Sequence, residues 1–390
     1  MFDVAHGGLD VAVDKGADGL DQHGLVVVKL VGAQRYGHIE NHIDTLIDAL
    51  PAWFAVTLSG QISGGPYFDD LRVGDVFDAA PAVTLTSGGA AVHQSIIGDR
   101  LRLPLDATLT HAVTGVPAVL AHPVYVTDVA IGQSTLATQR VKANLFYRGL
   151  GFHRFPVIGD SLYTRTEVVG LRQNSAKPGR APTGMAALRM TTIDQADRLI
   201  LDFHRCAMLP LSDGAGNTGH ADDLSAIGAD TPAPPDPTAG WDVEAYRTRV
   251  PGAGFDPALA GSVLTGTADV VSSAPELARL TLNLAAIHHD SRISGRRLVY
   301  GGHTIGLALA QVTRALPDLV TVLGWQSCDH TGPVYEGDTL YSEIHVEDAR
   351  PLPDGRGGVL SLRSLVYAAA TDADGPDRQV LDWRFTALRF

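Results

Sequence analysis

The stretch TLNLAAIHHDSRISGRRLVYGGHTIGL, residues 281–307, decides both the fold and the candidate site. It places Asn283, His288 and Asp290 in one short polar segment. An apolar break with two adjacent glycines follows, and then a nearly continuous apolar run over residues 303–316. A helix that is apolar on most sides is surrounded by protein rather than lying on a surface. We therefore expect a buried helix, preceded by a segment able to carry chemistry.

Charge and hydropathy exclude several classes of partner. The 390 residues carry a net charge of −13, whereas a nucleic-acid surface requires clustered Lys and Arg side chains. No apolar run is long enough to cross a bilayer, so we expect no membrane span. A small anionic ligand stays compatible with this composition, because it needs only a local basic patch.

The cysteines and the paired histidines indicate a reducing compartment and no bound metal. Cys206 and Cys328 are too few for a disulfide framework or a zinc site. We expect both to be buried, in a cytoplasmic protein. Adjacent helical residues point about 100° apart, so His288 and His289 would not chelate one ion well. We therefore predict no metal and no separate cofactor.

The second half of the chain repeats the first. Three segments recur in the same order, which argues against chance. A stretch rich in Pro, Gly and Asp separates the copies, and we expect it to be a linker that buries little surface. The recurring pairs are 86–93 with 281–288, 156–163 with 333–341, and 200–203 with 380–383. The predicted boundaries are a first domain over 63–211, a linker over 212–254 and a second domain over 255–390.

Residues 1–62 differ from the rest of the chain. They mix Gly, Asp and His with one short apolar run and lack the features of a signal peptide. Two interpretations stay open. The segment is either a small accessory element of the first domain or an extension created by a start site assigned too far upstream. Peptide mapping of the native N-terminus distinguishes the two.

In each copy an apolar helix is followed by strand-like runs. This order is typical of an antiparallel sheet curled around a central helix, so we predict an α+β fold with two such sheets. The predicted central helices are 117–133 and 303–316, and a further helix could span 84–97. The predicted strands are 141–147, 161–171, 185–192 and 199–209 in the first copy, and 319–327, 339–346, 359–369 and 379–390 in the second.

On these motifs the chain resembles the MaoC-like hydratase family over roughly residues 65–390. FDDL at 68–71 with VGD at 73–75 is similar to the family's domain start, and PVYEGDTL at 333–340 to its strand motif. The layout also resembles actinobacterial double hot-dog proteins and the two-domain mesaconyl-CoA and methylmalyl-CoA hydratases. The resemblance implies a double hot-dog fold and reversible addition of water to a 2-enoyl thioester, usually of coenzyme A.

The family's catalytic segment is Ser-Gly-Asp-x-Asn-Pro-x-His, followed by His-Gly at a helix start. This chain has Asn283 at the Asp position, His288 at the His position and Gly302 at the Gly position. His288 is the candidate acid and base, because its ordinary pKa lies close to neutral pH. Asn283 can orient water, and the Gly302 N–H can hold an enolate oxygen. A core histidine, a helix cap and close packing are the plain structural alternatives.

Further residues are assigned to the pocket, and the first copy is expected to lack catalysis. Gly88 and Pro123 stand at the positions of the catalytic Asn and Gly, so only a histidine is kept there. Asp290 could hold the His288 imidazole or be an ordinary solvated carboxylate. The predicted pocket residues are Asp290, Tyr300, His303 and His93, and surface cations that could meet coenzyme A are Lys142, Arg148 and Arg154.

The sequence thus predicts a cytoplasmic hydro-lyase with one site in the second domain. Its partner would be an acyl-CoA or acyl-carrier-protein thioester, and the protein would be a monomer or homodimer. The alternative is a non-catalytic acyl-thioester-binding protein whose site has decayed. Asn283 and the neighbouring alanines favour the alternative, whereas His288 and Gly302 favour the enzyme.

Overall fold

One antiparallel sheet of twelve strands runs through residues 64–232, 234–370 and 375–390, which the computed structural model describes. Its strand order is β1-β4-β5-β6-β3-β9-β12-β11-β10-β7, with β2 beside β4 and β8 beside β10. β11 alternates buried and half-buried side chains, as expected when one face of a sheet covers a core. The strands are β1 Val76–Phe77, β2 Val83–Thr84, β3 Ala143–Phe152, β4 Ser161–Gln173, β5 Thr183–Ile193, β6 Leu199–Pro210, β7 Val263–Thr265, β8 Asp269–Val270, β9 Leu319–His330, β10 Thr339–Pro351, β11 Gly358–Ala368 and β12 Arg378–Arg389.

Two buried helices, α4 and α7, lie at the centre of the two halves. Every residue of α4 is buried, and it begins with Pro123, where the missing N–H has no helical partner to lose. α7 begins at Gly301, two residues before the predicted start. None of the helices in the described part of the chain is long and apolar enough to cross a membrane. The helices are α1 Ser87–Ile97, α2 Arg102–Leu105, α3 Ala107–Thr114, α4 Pro123–Gln133, α5 Val243–Arg249, α6 Ala274–Leu280 and α7 Gly301–Ala315.

The two halves are joined edge to edge. β3 pairs with β6 on one side and with β9 on the other, where Tyr147 stands opposite Cys328. The central helices α4 and α7 contact each other. The two predicted sheets are therefore the halves of one continuous sheet, and the predicted double hot-dog fold is confirmed.

The predicted linker at 212–254 is packed against the sheets rather than free. Leu224 is buried, and α5 carries a buried Tyr246 whose hydroxyl donates to the Leu319 carbonyl at 3.1 Å. A few apolar anchors are enough to hold a Pro-rich segment, so the expectation that this stretch buries little surface is wrong. The two interpretations of residues 1–62 concern a segment outside the described residues.

Candidate active site

A cavity of about 400 Å³ lies where the two halves meet. The second half contributes the segment that carries Asn283 and His288, the start of α7 and the loop after β9. The first half contributes the end of α4, the start of β3 and one residue of β6. Lys142, Ser294 and Pro333 are exposed and mark the mouth. None of the described residues that line the cavity is acidic. The cavity is thus open at one end, closed at the other and free of negative side chains along its described wall.

His288 presents an unprotonated nitrogen to this cavity. Its Nδ1 lies 2.9 Å from the carbonyl oxygen of Leu298, which can only accept, so Nδ1 carries the proton and Nε2 the lone pair. Burial lowers the pKa of His288 from 6.5 to about 4, and the nearby positive charge of Arg205 acts in the same direction. The imidazole is therefore neutral at pH 7 and able to accept a proton from water.

Asn283 is brought to the same cavity by a tight backbone turn. Leu282 before it has a φ of 58°, the left-handed conformation that the glycine of the family motif adopts readily. The Asn283 Oδ1 accepts from the Ala285 N–H at 3.0 Å. Among the described residues no acceptor is bonded to its side-chain NH₂ group, so that group can donate into the cavity. Asn283 and His288 therefore converge even though the family's proline is absent.

Of the two adjacent glycines, Gly301 lines the cavity and Gly302 does not. A methyl group on Gly302 would overlap Oδ1 of Asp128, so this glycine faces α4. A Cβ at Gly301 would lie 2.6 Å from Nε2 of His330, which borders the cavity. No acceptor among the described residues is bonded to the Gly301 N–H. The Gly302 N–H likewise has no bonded acceptor among the described residues, so Gly301, which lines the cavity, becomes a second candidate for the donor assigned to Gly302.

Equivalent glutamines align the starts of the two central helices. Gln133 and Gln311 each donate Nε2 to a strand carbonyl at 2.9 Å, and each accepts from a strand hydroxyl. Matching the two glutamines places Pro123 on Gly301, since both stand first in their helices. Proline has no N–H. The first half therefore lacks the donor that the second half offers.

Tyr300 is a predicted pocket residue that does line the cavity. Its ring lies 5.9 Å from that of His288, and its hydroxyl donates to the Asp128 carbonyl oxygen at 3.1 Å. Burial raises the pKa of the Asp128 carboxyl well above its ordinary value. Tyr300 therefore separates the cavity from a buried polar cluster between the central helices.

Three other predicted pocket residues lie outside the cavity. Asp290 forms an exposed ion pair with Arg292, which lowers the pKa of that carboxyl to about 2, and it does not bond to the His288 imidazole. His93 is buried 3.3 Å from Asp128, away from the cavity wall. His303 is fully buried on the opposite side of α7, where neither ring nitrogen has a hydrogen-bond partner among the described residues.

The three predicted surface cations lie in different places. Lys142 stands at the cavity mouth. Arg148 donates to the Ser225 carbonyl at 2.7 Å, and Arg154 lines a separate cleft. Only Lys142 is placed to meet a carrier group that enters the cavity.

Sequence analysis missed several polar residues of the wall. They come from the first half, from α7 and from the end of β9, where the quoted family motif gives no signal. Burial and His288 together lower the pKa of His330 to about 4, and burial raises the pKa of Tyr147 far above its usual range. The missed polar residues are Thr135, Asn144, Tyr147, Arg205, Thr304 and His330. The fold and the residues of this cavity define a double hot-dog protein with a His–Asn cavity among its described residues.

Comparisons with known proteins give the family. No family model matches the chain. Rv0216 of Mycobacterium tuberculosis, a protein with a double hot-dog fold, is 70% identical, with 84% of this chain and 99% of that chain covered and a TM-score of 0.81. A MaoC domain protein from Chloroflexus aurantiacus J-10-fl is 25% identical, with 83% and 97% covered and a TM-score of 0.69. The curated beta-methylmalyl-CoA dehydratase of Chloroflexus aurantiacus is 28% identical over 357 residues, 85% of this chain and 99% of that protein. The chain belongs to the MaoC-like double hot-dog family, which confirms the resemblance.

Proposed function

We propose that the chain catalyses the reversible addition of water to a 2-enoyl thioester at this cavity, which makes it a hydro-lyase. One observation carries the proposal: His288, with its Nε2 lone pair, and Asn283, with its free amide donor, line the same cavity. The name of the curated relative, a dehydratase of a coenzyme A thioester, supports the same reaction class. Coenzyme A would enter as part of the substrate, and the chemistry needs no other cofactor.

In the proposed reaction His288 moves both protons. Its Nε2 takes a proton from water while the water oxygen bonds to C3 of the enoyl group. The electron pair of the C2–C3 double bond moves toward the thioester, and the Gly301 N–H at the start of α7 stabilises the enolate oxygen. The imidazolium then returns the proton to C2. Asn283 holds the water but supplies no proton, because a carboxamide is not an acid near neutral pH.

The carrier, location and assembly are also proposals. Coenzyme A is favoured over an acyl carrier protein by the curated relative's substrate. The two cysteines are free and buried, which fits a reducing cytoplasm. Since β3 and β9 join the two halves within one chain, a monomer already contains the complete site, and a homodimer is not required.

A panel of 2-enoyl-CoA thioesters, followed by loss of the enoyl absorbance, tests the function. The wild-type protein should hydrate at least one member. His288→Gln should lower kcat roughly 100-fold or more, the usual contribution of a general acid–base group. His111→Gln, an exposed histidine of α3, is the matched control and should leave the rate unchanged. Equal rates for His288→Gln and the wild type would rule the mechanism out.

The second candidate is a non-catalytic acyl-thioester-binding protein. Asn283, an amide in place of the family's carboxylate, favours it, because the site then has one proton-transferring group instead of two. This candidate predicts that saturated acyl-CoA thioesters bind to the cavity while no enoyl-CoA is hydrated. Calorimetric binding together with the absorbance assay separates the two functions.

A further inference from the structure

His330 places a buried nitrogen atom without a partner beside the start of α7. It is the last residue of β9, it lines the cavity, and its Nε2 has no hydrogen-bond partner among the described residues. Burial and His288 together lower the pKa of His330 to about 4, so the imidazole is neutral at pH 7 and holds one N–H. A buried polar atom is costly unless it is hydrogen-bonded, and a ligand in the cavity can supply the bond.

The His330 Nε2 and the backbone nitrogen of Gly301 lie close enough to bond the same oxygen atom. A Cβ on Gly301 would lie 2.6 Å from Nε2 of His330. Because covalent geometry places a Cβ about 2.5 Å from the nitrogen of its own residue, the two nitrogens are at most about 5 Å apart. A hydrogen bond to oxygen spans roughly 2.9 Å, so one oxygen can accept from both nitrogens. The Gly301 N–H has no bonded acceptor among the described residues.

Two such donors form a site for an oxygen that carries a full negative charge. The neutral imidazole donates from Nε2 when its proton is on that nitrogen. Donors that converge where charge develops act far more strongly in a cavity than in water. No acidic side chain lines the described cavity wall to oppose the negative charge. The carbonyl oxygen of a thioester placed here becomes such an oxyanion when a nucleophile adds to its carbon.

Hydrolysis of a thioester demands less proton transfer than hydration of an enoyl group. Hydration must place a proton on carbon, and this chain has an amide, Asn283, in the cavity wall where the family has a carboxylate. Hydrolysis instead releases a thiolate, and an alkyl thiol such as cysteine has a pKa of about 8.5. One group that takes a proton from water and passes it to sulfur is therefore sufficient. His288 has the lone pair for this task, and Asn283 can hold the water.

We propose that the same cavity also hydrolyses acyl-CoA thioesters, an activity separate from hydration. The Nε2 of His288 takes a proton from water while the water oxygen bonds to C1, the thioester carbonyl carbon. The electron pair of the carbonyl bond moves to oxygen, where Gly301 and His330 stabilise the charge. When that pair forms the double bond again, the C–S bond breaks and the imidazolium gives its proton to sulfur. The products are a carboxylic acid and the free thiol of coenzyme A. The placement of the carbonyl at the start of α7 rests on the proposed function.

Saturated thioesters test hydrolysis alone, because they have no double bond to hydrate. Butyryl-CoA, hexanoyl-CoA and octanoyl-CoA are incubated with the full-length protein, and the released thiol is measured with a thiol-reactive dye. Protein without thioester corrects for its own two cysteines. The wild-type protein should release coenzyme A from at least one thioester, and His288→Gln should lower the rate roughly 100-fold or more. A wild-type rate no higher than the spontaneous rate for all three thioesters would overturn the proposal.

His330→Phe tests the second donor while keeping a ring of similar size. It should lower kcat for thiol release roughly 100-fold with little change in KM, the usual effect of removing one oxyanion donor. His330→Gln, whose amide can donate, should keep part of the rate. His153→Phe is the matched control, because His153 precedes Pro156 as His330 precedes Pro333 but lines a separate cleft. Equal rates for His330→Phe and the wild type would contradict the two-donor site.

Asn283→Asp compares the two reactions in one variant. The carboxylate supplies a second group that can transfer a proton to carbon and places negative charge near the oxyanion. Hydration of an enoyl-CoA, measured as enoyl absorbance lost in excess of thiol released, should therefore rise relative to hydrolysis by roughly 10-fold or more. An unchanged or lower ratio would contradict the role of Asn283. Thiol release without hydration of any enoyl-CoA would refute the proposed function and leave this inference standing, whereas hydration without thiol release would overturn this inference alone.

Discussion

Burial of His288 keeps its imidazole unprotonated down to a lower pH, and the same lowered pKa makes it a weaker base. The imidazole remains unprotonated in the folded protein because its pKa is lowered from 6.5 to about 4. An unperturbed histidine would gain a proton, and stop acting as a base, as the pH falls through 6.5. For the proposed hydratase we therefore expect kcat/KM to stay level from pH 7 to about 5 and to fall only near pH 4. Circular dichroism at each pH separates loss of the base from unfolding, and a midpoint near 6.5 would contradict this assignment.

Single residues were predictable where a motif fixed their spacing. Asn283 and His288 follow from the family segment, and the structure brings both to one cavity. The motif assigns the donor to Gly302, whereas Gly301 is the glycine that lines the cavity, because sequence does not fix the rotational phase at which a helix begins. Arg205 was missed because one basic residue in an apolar strand is indistinguishable from an outward-facing surface charge. That Arg205 is buried and lines the cavity follows from three-dimensional packing, which a single sequence does not show.

At the level of elements, α4 packs closely against the start of the segment that carries Asn283 and His288. A methyl group on Gly132 would overlap the carbonyl oxygen of Thr281, and a backbone atom cannot rotate away. We expect Gly132→Ala to destabilise the protein by about 1–3 kcal/mol, the usual range for overpacking, and to lower activity because the segment must shift. Gly216→Ala, at an exposed glycine with open space around it, should stay within about 0.5 kcal/mol. Urea unfolding midpoints compare the two variants. Equal midpoints would show that α4 can move to accept the extra methyl group without loss of stability.

The elements were largely predictable from hydrophobic periodicity. The predicted strand 161–171 is observed as Ser161–Gln173, and 199–209 as Leu199–Pro210. β9 extends to His330, beyond the predicted end, and this extension carries a histidine of the cavity wall. The error arose because the polar side chains at the end of β9 have no apolar periodicity, although their backbone still pairs with β12. Pairing between strands maintains regular structure where the side-chain pattern ends.

For the whole molecule, buried neutral histidines predict sensitivity to acid. Burial lowers the pKa values of His288, His303 and His330 to about 4, against 6.5 in the unfolded chain. Between these values the unfolded chain binds more protons, so the stability present above pH 6.5 is lost as the pH falls toward 4. Between pH 7 and pH 5, His303→Leu should reduce this loss by about 2 kcal/mol, since roughly 1.5 pH units separate pH 5 from the unfolded pKa and each unit corresponds to about 1.4 kcal/mol. Urea unfolding at pH 7 and pH 5 measures the effect, and an unchanged difference would contradict it.

The global arrangement was predictable only in part. Three recurring segments identified two copies, but no sequence pattern showed that β3 and β9 would pair and merge their sheets. Pairing between distant strands depends on matching edges, which a single sequence does not reveal. The stretch 212–254 was predicted to be a linker that buries little surface, because it is rich in Pro, Gly and Asp. A few buried apolar side chains, such as that of Tyr246, nevertheless hold the segment against the sheet.

The edge-to-edge union of the two halves has a consequence for specialisation. In a symmetric dimer of identical chains, every substitution appears in both subunits, so a residue cannot be optimised for one site alone. Here the halves share one polypeptide but not one sequence. The first half has Pro123 where the second has Gly301, and Arg205 where the second has Phe385. One half can therefore change its cavity residues while the other keeps His288, so selection can act on the two sides of the cavity independently.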